Sequence, residues 1–170
     1  MRKKLSLTAC ALLTGTATAA DLNVSIEIPR LNVAEYHRPY LAVWIERPDR
    51  SVAAHLDVWY DVNLKNHEGA KWLKDLRSWW RRIGRDLRLP ADGISGATRA
   101  PGTHELRFSD RQPAIARLAA GEYRLVVEAA REVGGRELLE IPFRWPSQST
   151  QRLEARGEHE LGAVIVTLTP

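Results

Sequence analysis

Cysteine is nearly absent from this sequence, and Cys10 is the only one among 170 residues. It lies in the first segment of the chain, so removal of that segment leaves a protein without a thiol. Such a protein contains no disulfide, no thiolate nucleophile and no Cys-x-x-Cys-His site for haem attachment. The roughly 150 residues that follow suit one domain whose core is large enough to fold without disulfides or metal.

Long apolar runs are also absent. The stretch at residues 5–13 is too short to cross a membrane, which takes about 20 consecutive apolar residues. Positive charges at residues 2–4 precede it, and small residues at 17–20 follow it. This order predicts a secretory signal peptide over residues 1–20, so the mature chain is expected to act outside the cytoplasm and not to span the membrane.

The exact end of the leader stays open. Cleavage after Ala19 and cleavage after Ala20 both fit the small-residue pattern. The sequence that ends in Cys10 also resembles the lipobox of bacterial lipoproteins, which makes lipidation of that residue an alternative to simple cleavage. With ordinary cleavage, residues 21–170 form a single domain.

A strong excess of one charge is missing from the mature chain. The whole sequence carries a net charge of +4, but three of its positive charges belong to the leader, which leaves +1. This balance gives no indication of nucleic acid binding. The five histidines show no spacing of three or four residues, so no helical metal pair is predicted. Without a Gly-x-Ser-x-Gly, phosphate-loop or His-Glu-x-x-His motif, neither a hydrolase nor a nucleotide enzyme is indicated.

Alternating apolar and polar residues dominate what is present, and this period of two predicts β-strands. Pro142 lacks an N–H group, so its strand is expected at an edge or a bulge. Gly134 and Gly135 predict a hairpin with a two-residue turn, because both can adopt positive φ angles. The seven predicted strands cover residues 22–28, 40–46, 55–60, 105–108, 123–133, 137–145 and 162–168.

One segment has helical periodicity instead. Between Ala70 and Ile83 the apolar residues, three tryptophans among them, form one stripe, while lysines and arginines occupy the opposite face. Gly84 follows as a helix stop. The polar stretch at residues 147–157 is expected to be a surface loop. Together these elements predict an antiparallel, immunoglobulin-like β-sandwich with one inserted amphipathic α-helix.

Turn-forming and small residues cluster between this helix and the next strand, which predicts a loop. Its sequence Asp92-Gly93-Ile94-Ser95-Gly96-Ala97-Thr98 resembles the recognition motif of substrates of the FAD:protein FMN transferases. The resemblance implies that Thr98 receives FMN through a phosphoester bond. Asp92, Gly93, Ser95, Gly96 and Ala97 are then recognition residues, and the small side chains are expected to keep the acceptor exposed and flexible. The alternative is an ordinary turn in which Asp92 and Gly93 reverse the chain and Ser95 or Thr98 caps backbone groups.

Nearly the whole mature chain also resembles predicted periplasmic proteins of domain-of-unknown-function family number 2271. Members of that family often accompany PepSY-type membrane proteins, which are thought to carry electrons across the inner membrane. The resemblance therefore implies a periplasmic partner of such a system and assigns no reaction. It rests on Tyr40–Glu46, Val58–Tyr60, Lys71–Leu76 with Trp79 and Trp80, and Ser95–Thr98.

Two functions are compatible with these patterns. In the first, the protein is an electron carrier, rather than an enzyme with its own substrate, and displays covalent FMN on Thr98. In the second, it is a cofactor-free binding module, because sandwich folds also serve in recognition. Its contact surface would then be the loop of Tyr36, His37 and Tyr40 or the basic helix face, whose Lys74, Arg77, Arg81 and Arg82 could equally meet an FMN phosphate. Most of the tryptophans are expected in the core.

Overall fold

A computed structural model describes residues 20–170 of the chain. The predicted signal peptide therefore lies outside the described residues, except for Ala20, which is buried. The described part is mainly β-structure. Its strands are β1 Asp21–Ile28, β2 Tyr40–Glu46, β3 Val52–Tyr60, β4 Ser95–Ala97, β5 Gly102–Ser109, β6 Gly121–Ala130, β7 Arg136–Trp145, β8 Gln151–Arg156 and β9 Ala163–Thr169.

Short helical elements lie between the strands. A 3₁₀ segment spans Lys65–Asp75, helix α1 spans Arg77–Arg82, a 3₁₀ turn spans Gly84–Asp86, and helix α2 spans Pro113–Ala116. The first three elements follow one another between β3 and β4, where the sequence predicts one helix.

The strands form two sheets, one of four strands in the order β5-β1-β9-β8 and one of five in the order β4-β3-β2-β6-β7. Neighbouring strands are antiparallel except for β3 and β4, which pair in parallel. The predicted antiparallel β-sandwich is thus confirmed. Its core lies between the two sheets and includes the alternating apolar side chains of β1, from Leu22 to Ile28, which are at most 2% exposed.

A second apolar cluster covers the outer face of the five-stranded sheet. Leu73, Leu76 and Trp79 of the helical segment pack there against Trp44 of β2 and Val126 of β6. Strands β2 and β6 are consequently buried on both faces along most of their length. Full burial of one such apolar side chain contributes about 1.5–3 kcal/mol, so this cluster fixes the helical segment on the sheet.

The inserted helical segment is confirmed, but it is not the one continuous α-helix predicted over residues 70–83. The chain breaks at Leu76, whose ψ of 71° is not helical, and positive φ angles of 56° at Asn66 and His67 interrupt the segment earlier. Trp72 is 54% exposed instead of buried. Leu73, Leu76 and Trp79 still face the sheet, because two short helical pieces joined by a bend reach the same surface that one straight helix would cover.

The predicted hairpin is confirmed, but its turn is different. Five residues, Arg131 to Gly135, connect β6 to β7, and the Arg131 N–H donates to the Gly135 carbonyl at 3.0 Å. The positive φ angle of 53° belongs to Val133 and to neither of the two glycines. Pro142 lies on β7, an edge strand, as predicted.

Strands β4 and β8 were not predicted from the sequence. The stretch expected to be a surface loop at residues 147–157 contains β8, which pairs with β9 from Gln151↔Leu168 to Arg156↔Ala163. Charged residues such as Arg152 and Glu154 alternate on β8 with half-buried ones. The apolar period of β8 is weak because its inward-facing residues, such as Leu153 and Ala155, are few and only half-buried.

Glu137 connects the two sheets at one end of the sandwich. Its carboxylate accepts four backbone hydrogen bonds, from Glu158, His159, Glu160 and Leu161, at 2.6–3.2 Å. Burial of the carboxyl opposes ionisation, but these bonds outweigh it and lower the pKa of Glu137 from its ordinary value of 4.5. The ionised carboxylate is therefore the form that stabilises the fold.

We expect Glu137→Gln to lower stability most near neutral pH. Because the folded pKa is depressed, the stabilisation is present above the ordinary pKa and is lost as the pH falls through the folded value. Urea midpoints of the wild-type and variant proteins should therefore converge in acid. Glu122→Gln, at an exposed position, is the control. A gap in midpoint that stays constant with pH would contradict this role of the Glu137 carboxylate.

Candidate functional site

The segment Asp92–Thr98 begins with a tight turn. The N–H groups of Ile94 and Ser95 donate to the Ala91 carbonyl at 3.4 and 3.1 Å, and the Ala91 N–H donates to the Ser95 hydroxyl at 3.0 Å. Gly93 has a φ of 77°, a conformation that side chains rarely allow. Asp92 and Gly93 are exposed at the tip of this turn, as the loop prediction requires.

The rest of the segment is not the free loop that the sequence predicts. Ser95, Gly96 and Ala97 form β4, which pairs with Val58–Tyr60 of β3. The Val58 N–H donates to the Ile94 carbonyl at 2.6 Å, and the Thr98 N–H donates to the Tyr60 carbonyl at 3.3 Å. A β-carbon on Gly96 would lie 3.4 Å from the Trp59 ring, an ordinary van der Waals distance, so the pairing with β3 does not by itself require glycine at this position.

Arg99 fastens the far side of the segment to the sheet. Its guanidinium lies 3.9 Å from the ring centroid of Trp59, and the Trp59 indole N–H donates to Asp57 at 2.8 Å. Burial raises the pKa of Asp57, while the bond from Trp59 and the charge of Arg99 oppose that rise. Cation–π contacts of this kind contribute about 0.5–2 kcal/mol. The position of Thr98 is thus fixed from both sides.

Thr98 is the first residue after β4, and its side chain is half-buried. Its hydroxyl donates to the Asp61 carboxylate at 3.2 Å. Asp61 directly follows β3, so the two residues lie side by side where neighbouring parallel strands end. The hydroxyl is held but not enclosed, since Asp61 is exposed.

A cleft of about 720 Å³ opens beside Thr98 at this end of the five-stranded sheet. The topology creates it: β3, β4 and β6 end here, while β2 and β7 begin here. Its volume is within the range of about 300–1,000 Å³ typical of small-molecule sites. Its lining includes the aromatic residues Tyr36, Tyr40 and Trp72, the cations Arg38, Arg77, Arg131 and Arg136, and the acids Asp61, Asp75 and Glu132.

Tyr36, His37 and Tyr40, predicted as a possible contact loop, thus lie in the same cleft as Thr98. Tyr40 packs edge-on against Tyr60 with ring centroids 6.4 Å apart. Burial raises the pKa of Tyr40 to about 12, so its hydroxyl is protonated at neutral pH. His37 lies 2.9 Å from Glu35 and 3.5 Å from Glu132.

The cations of the predicted basic helix face do not lie together in the structure. Arg77 lies in the cleft wall and is exposed. Arg82 instead pairs with Glu46 at 3.3 Å and donates to the Arg50 carbonyl, and the Lys74 ammonium lies 5.7 Å from the exposed Trp72 ring. Of the four cations that the sequence singled out, only Arg77 lines the cleft.

Glu128 holds another wall of the cleft in place. It is fully buried on β6 and accepts hydrogen bonds from the N–H groups of Ser78 and Trp79 at 3.0 and 2.8 Å, at the start of α1. It also pairs with Arg136, which donates to the Ser78 hydroxyl and lines the cleft. One carboxylate thus orients both α1 and Arg136.

The hairpin tip forms the remaining wall and was not predicted as part of a site. Arg131 and Glu160 make a buried bidentate ion pair at 2.8 and 3.1 Å, and the Gly135 N–H also donates to Glu160 at 2.7 Å. Val133 at the tip is 76% exposed and has a left-handed backbone conformation, which is costly for a β-branched residue. The one signal in the sequence was the glycine pair, which indicated a turn and no more.

Among residues 20–170, no three histidine, cysteine or acidic side chains lie close enough together to hold a metal ion. Over the same residues, no helix has both the length and the apolar character needed to cross a membrane.

No curated protein and no solved structure shows significant similarity to this chain. A family model does match it over residues 21–163, which include β1 to β8 and every residue of the cleft. The family is described as predicted periplasmic protein, DUF2271. The chain therefore belongs to this family of predicted periplasmic proteins, whose function is unknown.

Proposed function

We propose that this protein is a periplasmic electron carrier with FMN attached covalently to Thr98. The observation that carries the proposal is that the hydroxyl of the motif threonine opens onto a ligand-sized cleft with aromatic walls. A turn-rich connection with no function would not require such a cleft beside its last residue.

The residues of the cleft fit the cofactor. Tyr40 and Trp72 offer faces or edges on which a planar heteroaromatic ring can pack. Arg77 is an exposed cation in the wall and suits the phosphate of a tether. When bound, FMN would supply the one- and two-electron chemistry that no side chain of this protein offers.

Attachment requires FAD and an FAD:protein FMN transferase. The Thr98 oxygen would form a bond to the FMN-side phosphorus while the bond from that phosphorus to the AMP phosphate breaks. AMP would leave, and the hydroxyl proton would pass to a base of the transferase. In this chain the Asp61 carboxylate holds the hydroxyl before reaction, so the acceptor must turn from Asp61 towards the transferase.

The pairing of β4 bears on how the transferase reaches Thr98. Three residue pairs with β3 and two flanking backbone bonds hold the segment. Such a short edge strand can detach at a small cost compared with global unfolding. We therefore expect local opening of β4, and not a permanently free loop, to present the acceptor.

The direct test is the intact mass of the protein exported together with a transferase. We expect a gain of one FMN residue, and peptide fragmentation should locate it on Thr98. The same cells must modify a known substrate of the transferase. An unmodified mass beside a modified control substrate would refute the proposal.

A cofactor-free binding module is the second candidate. The presence of the Tyr36–Tyr40 segment in the cleft favours it, because the same aromatic walls could recognise a ligand without any attachment. Colour separates the two functions: protein from its native periplasm should be yellow if it carries FMN and colourless if it does not.

For the electron carrier, the proposed electron donor is a PepSY-type membrane protein and the proposed acceptor is an extracytoplasmic one.

A further inference from the structure

Two buried polar atoms in the wall of the cleft lack hydrogen-bond partners. Within residues 20–170, neither the Tyr36 hydroxyl nor Nη1 of Arg131 has a hydrogen-bond partner, although both are shielded from solvent. The Arg131 side chain is 6% exposed. A buried polar group without a partner costs about 1–3 kcal/mol, and two in adjacent side chains call for an explanation.

The two atoms belong to one small area. The Arg131 guanidinium lies 5.9 Å from the ring centroid of Tyr36, and both residues line the cleft. The edge of the guanidinium formed by Nε and Nη2 is already occupied, because both nitrogens donate to Glu160. The Glu160 carboxylate thus fixes the Arg131 side chain and leaves Nη1 without a hydrogen-bond partner.

We infer that Tyr36 and Arg131 form a subsite for a carbonyl oxygen of a planar heteroaromatic ligand. This inference rests on the proposed function, under which the ligand is the flavin ring and the oxygen belongs to its pyrimidinedione edge. An O–H and a guanidinium N–H both donate, so they match an edge that presents acceptors. Glu160 is a positioning residue that acts through Arg131.

The ligand oxygen reaches the subsite when the Tyr36 side chain rotates. Tyr36 is only half-buried and lies in the irregular segment between β1 and β2, at residues 29–39. Arg131 stays in place during this movement because its ion pair and the hairpin hold it.

Riboflavin is the probe, because it contains the ring and lacks the phosphate needed for attachment. Unmodified protein, exported from cells without a transferase, should bind riboflavin in equilibrium dialysis. We expect Tyr36→Phe to weaken that affinity about threefold to tenfold, the range that one neutral hydrogen bond contributes. Absence of riboflavin binding, or equal affinity of the variant and the wild type, would overturn the inference.

The thermal stability of the Tyr36→Phe variant is a second measurement, and it should change in the direction opposite to riboflavin affinity. Tyr36→Phe removes a buried hydroxyl that has no partner, so the thermal midpoint of the free protein should rise while affinity falls. A lower midpoint would show that the hydroxyl is already satisfied without ligand and would overturn the subsite.

Tyr123→Phe is the matched control. Its hydroxyl donates to the Ala119 carbonyl at 2.8 Å, away from the cleft, so this variant should lose stability and keep its riboflavin affinity. Equal loss of affinity in both variants would point to a global effect and contradict the subsite. Failure of the proposed function is separate, since it would show as an absent mass adduct on Thr98.

Discussion

Replacement of Thr98 by alanine should abolish covalent flavin completely while the protein stays folded. The threonine oxygen is the proposed attachment point, and alanine has no atom that can replace it. The cost to the fold is small: the hydroxyl makes one hydrogen bond, to an exposed carboxylate, and such a bond contributes about 0.5–1.5 kcal/mol. The measurement is the intact mass of the variant after export with a transferase.

Two further variants make this result specific. Thr98→Ser keeps a hydroxyl at the same position and should retain the adduct. Thr103→Ala makes the same chemical change at an exposed threonine on β5, outside the motif, and should also retain it. Unchanged circular dichroism of Thr98→Ala would show that the fold survives. A flavin adduct on the Thr98→Ala protein would show that the site assignment is wrong.

Glu160→Gln should lower the free energy of unfolding by about 3–5 kcal/mol, because it leaves the Arg131 charge buried without its counter-ion. Both side chains of the pair are at most 6% exposed. The glutamine has nearly the same shape as glutamate, so the loss reports charge and hydrogen bonding more than packing. Denaturant titration followed by tryptophan fluorescence measures it.

Glu154→Gln is the matched control for this effect. Glu154 pairs with Arg152 and Arg156 on the exposed face of β8, where such ion pairs contribute about 0–1 kcal/mol. Equal destabilisation by the two substitutions would contradict the role given to Arg131 and Glu160. The hairpin tip should also exchange amide hydrogens faster in Glu160→Gln, since a neutral amide oxygen is a weaker acceptor for the Gly135 N–H than the carboxylate.

The alternation of apolar and polar residues predicted the strands well where one face is buried and the other is exposed to solvent. In β1 the alternation from Leu22 to Ile28 matches the burial of each residue. The alternation did not reveal β8, because most of its residues are charged or polar. It did not reveal β4 either, because the three small residues of β4 pair only where β3 lies beside them. A parallel edge pair between distant segments leaves no local trace in the sequence.

The cleft could not be predicted because it depends on strand order. Thr98 and the Tyr36–Tyr40 segment were each recognised as candidates, but nothing in the sequence places them together. They meet because β2 lies between β3 and β6 and all the connections at this end converge. Trp72 is exposed for a local reason: an α-helical period assigned it to the buried stripe, but this stretch is a 3₁₀ segment, whose period of three places Leu73 and Leu76 against the sheet.

The short parallel strand β4 also bears on how this protein avoids aggregation. The five-stranded sheet has two edges, and Pro142 interrupts the donor row on one of them. On the other edge β4 covers β3, so a chain whose β4 has detached presents the unpaired backbone of Val58–Tyr60. Exposed edges of this kind join the sheets of separate molecules. Under the proposed function, the opening of β4 that presents Thr98 would also expose these three residues of β3, so modification and protection against self-association would compete.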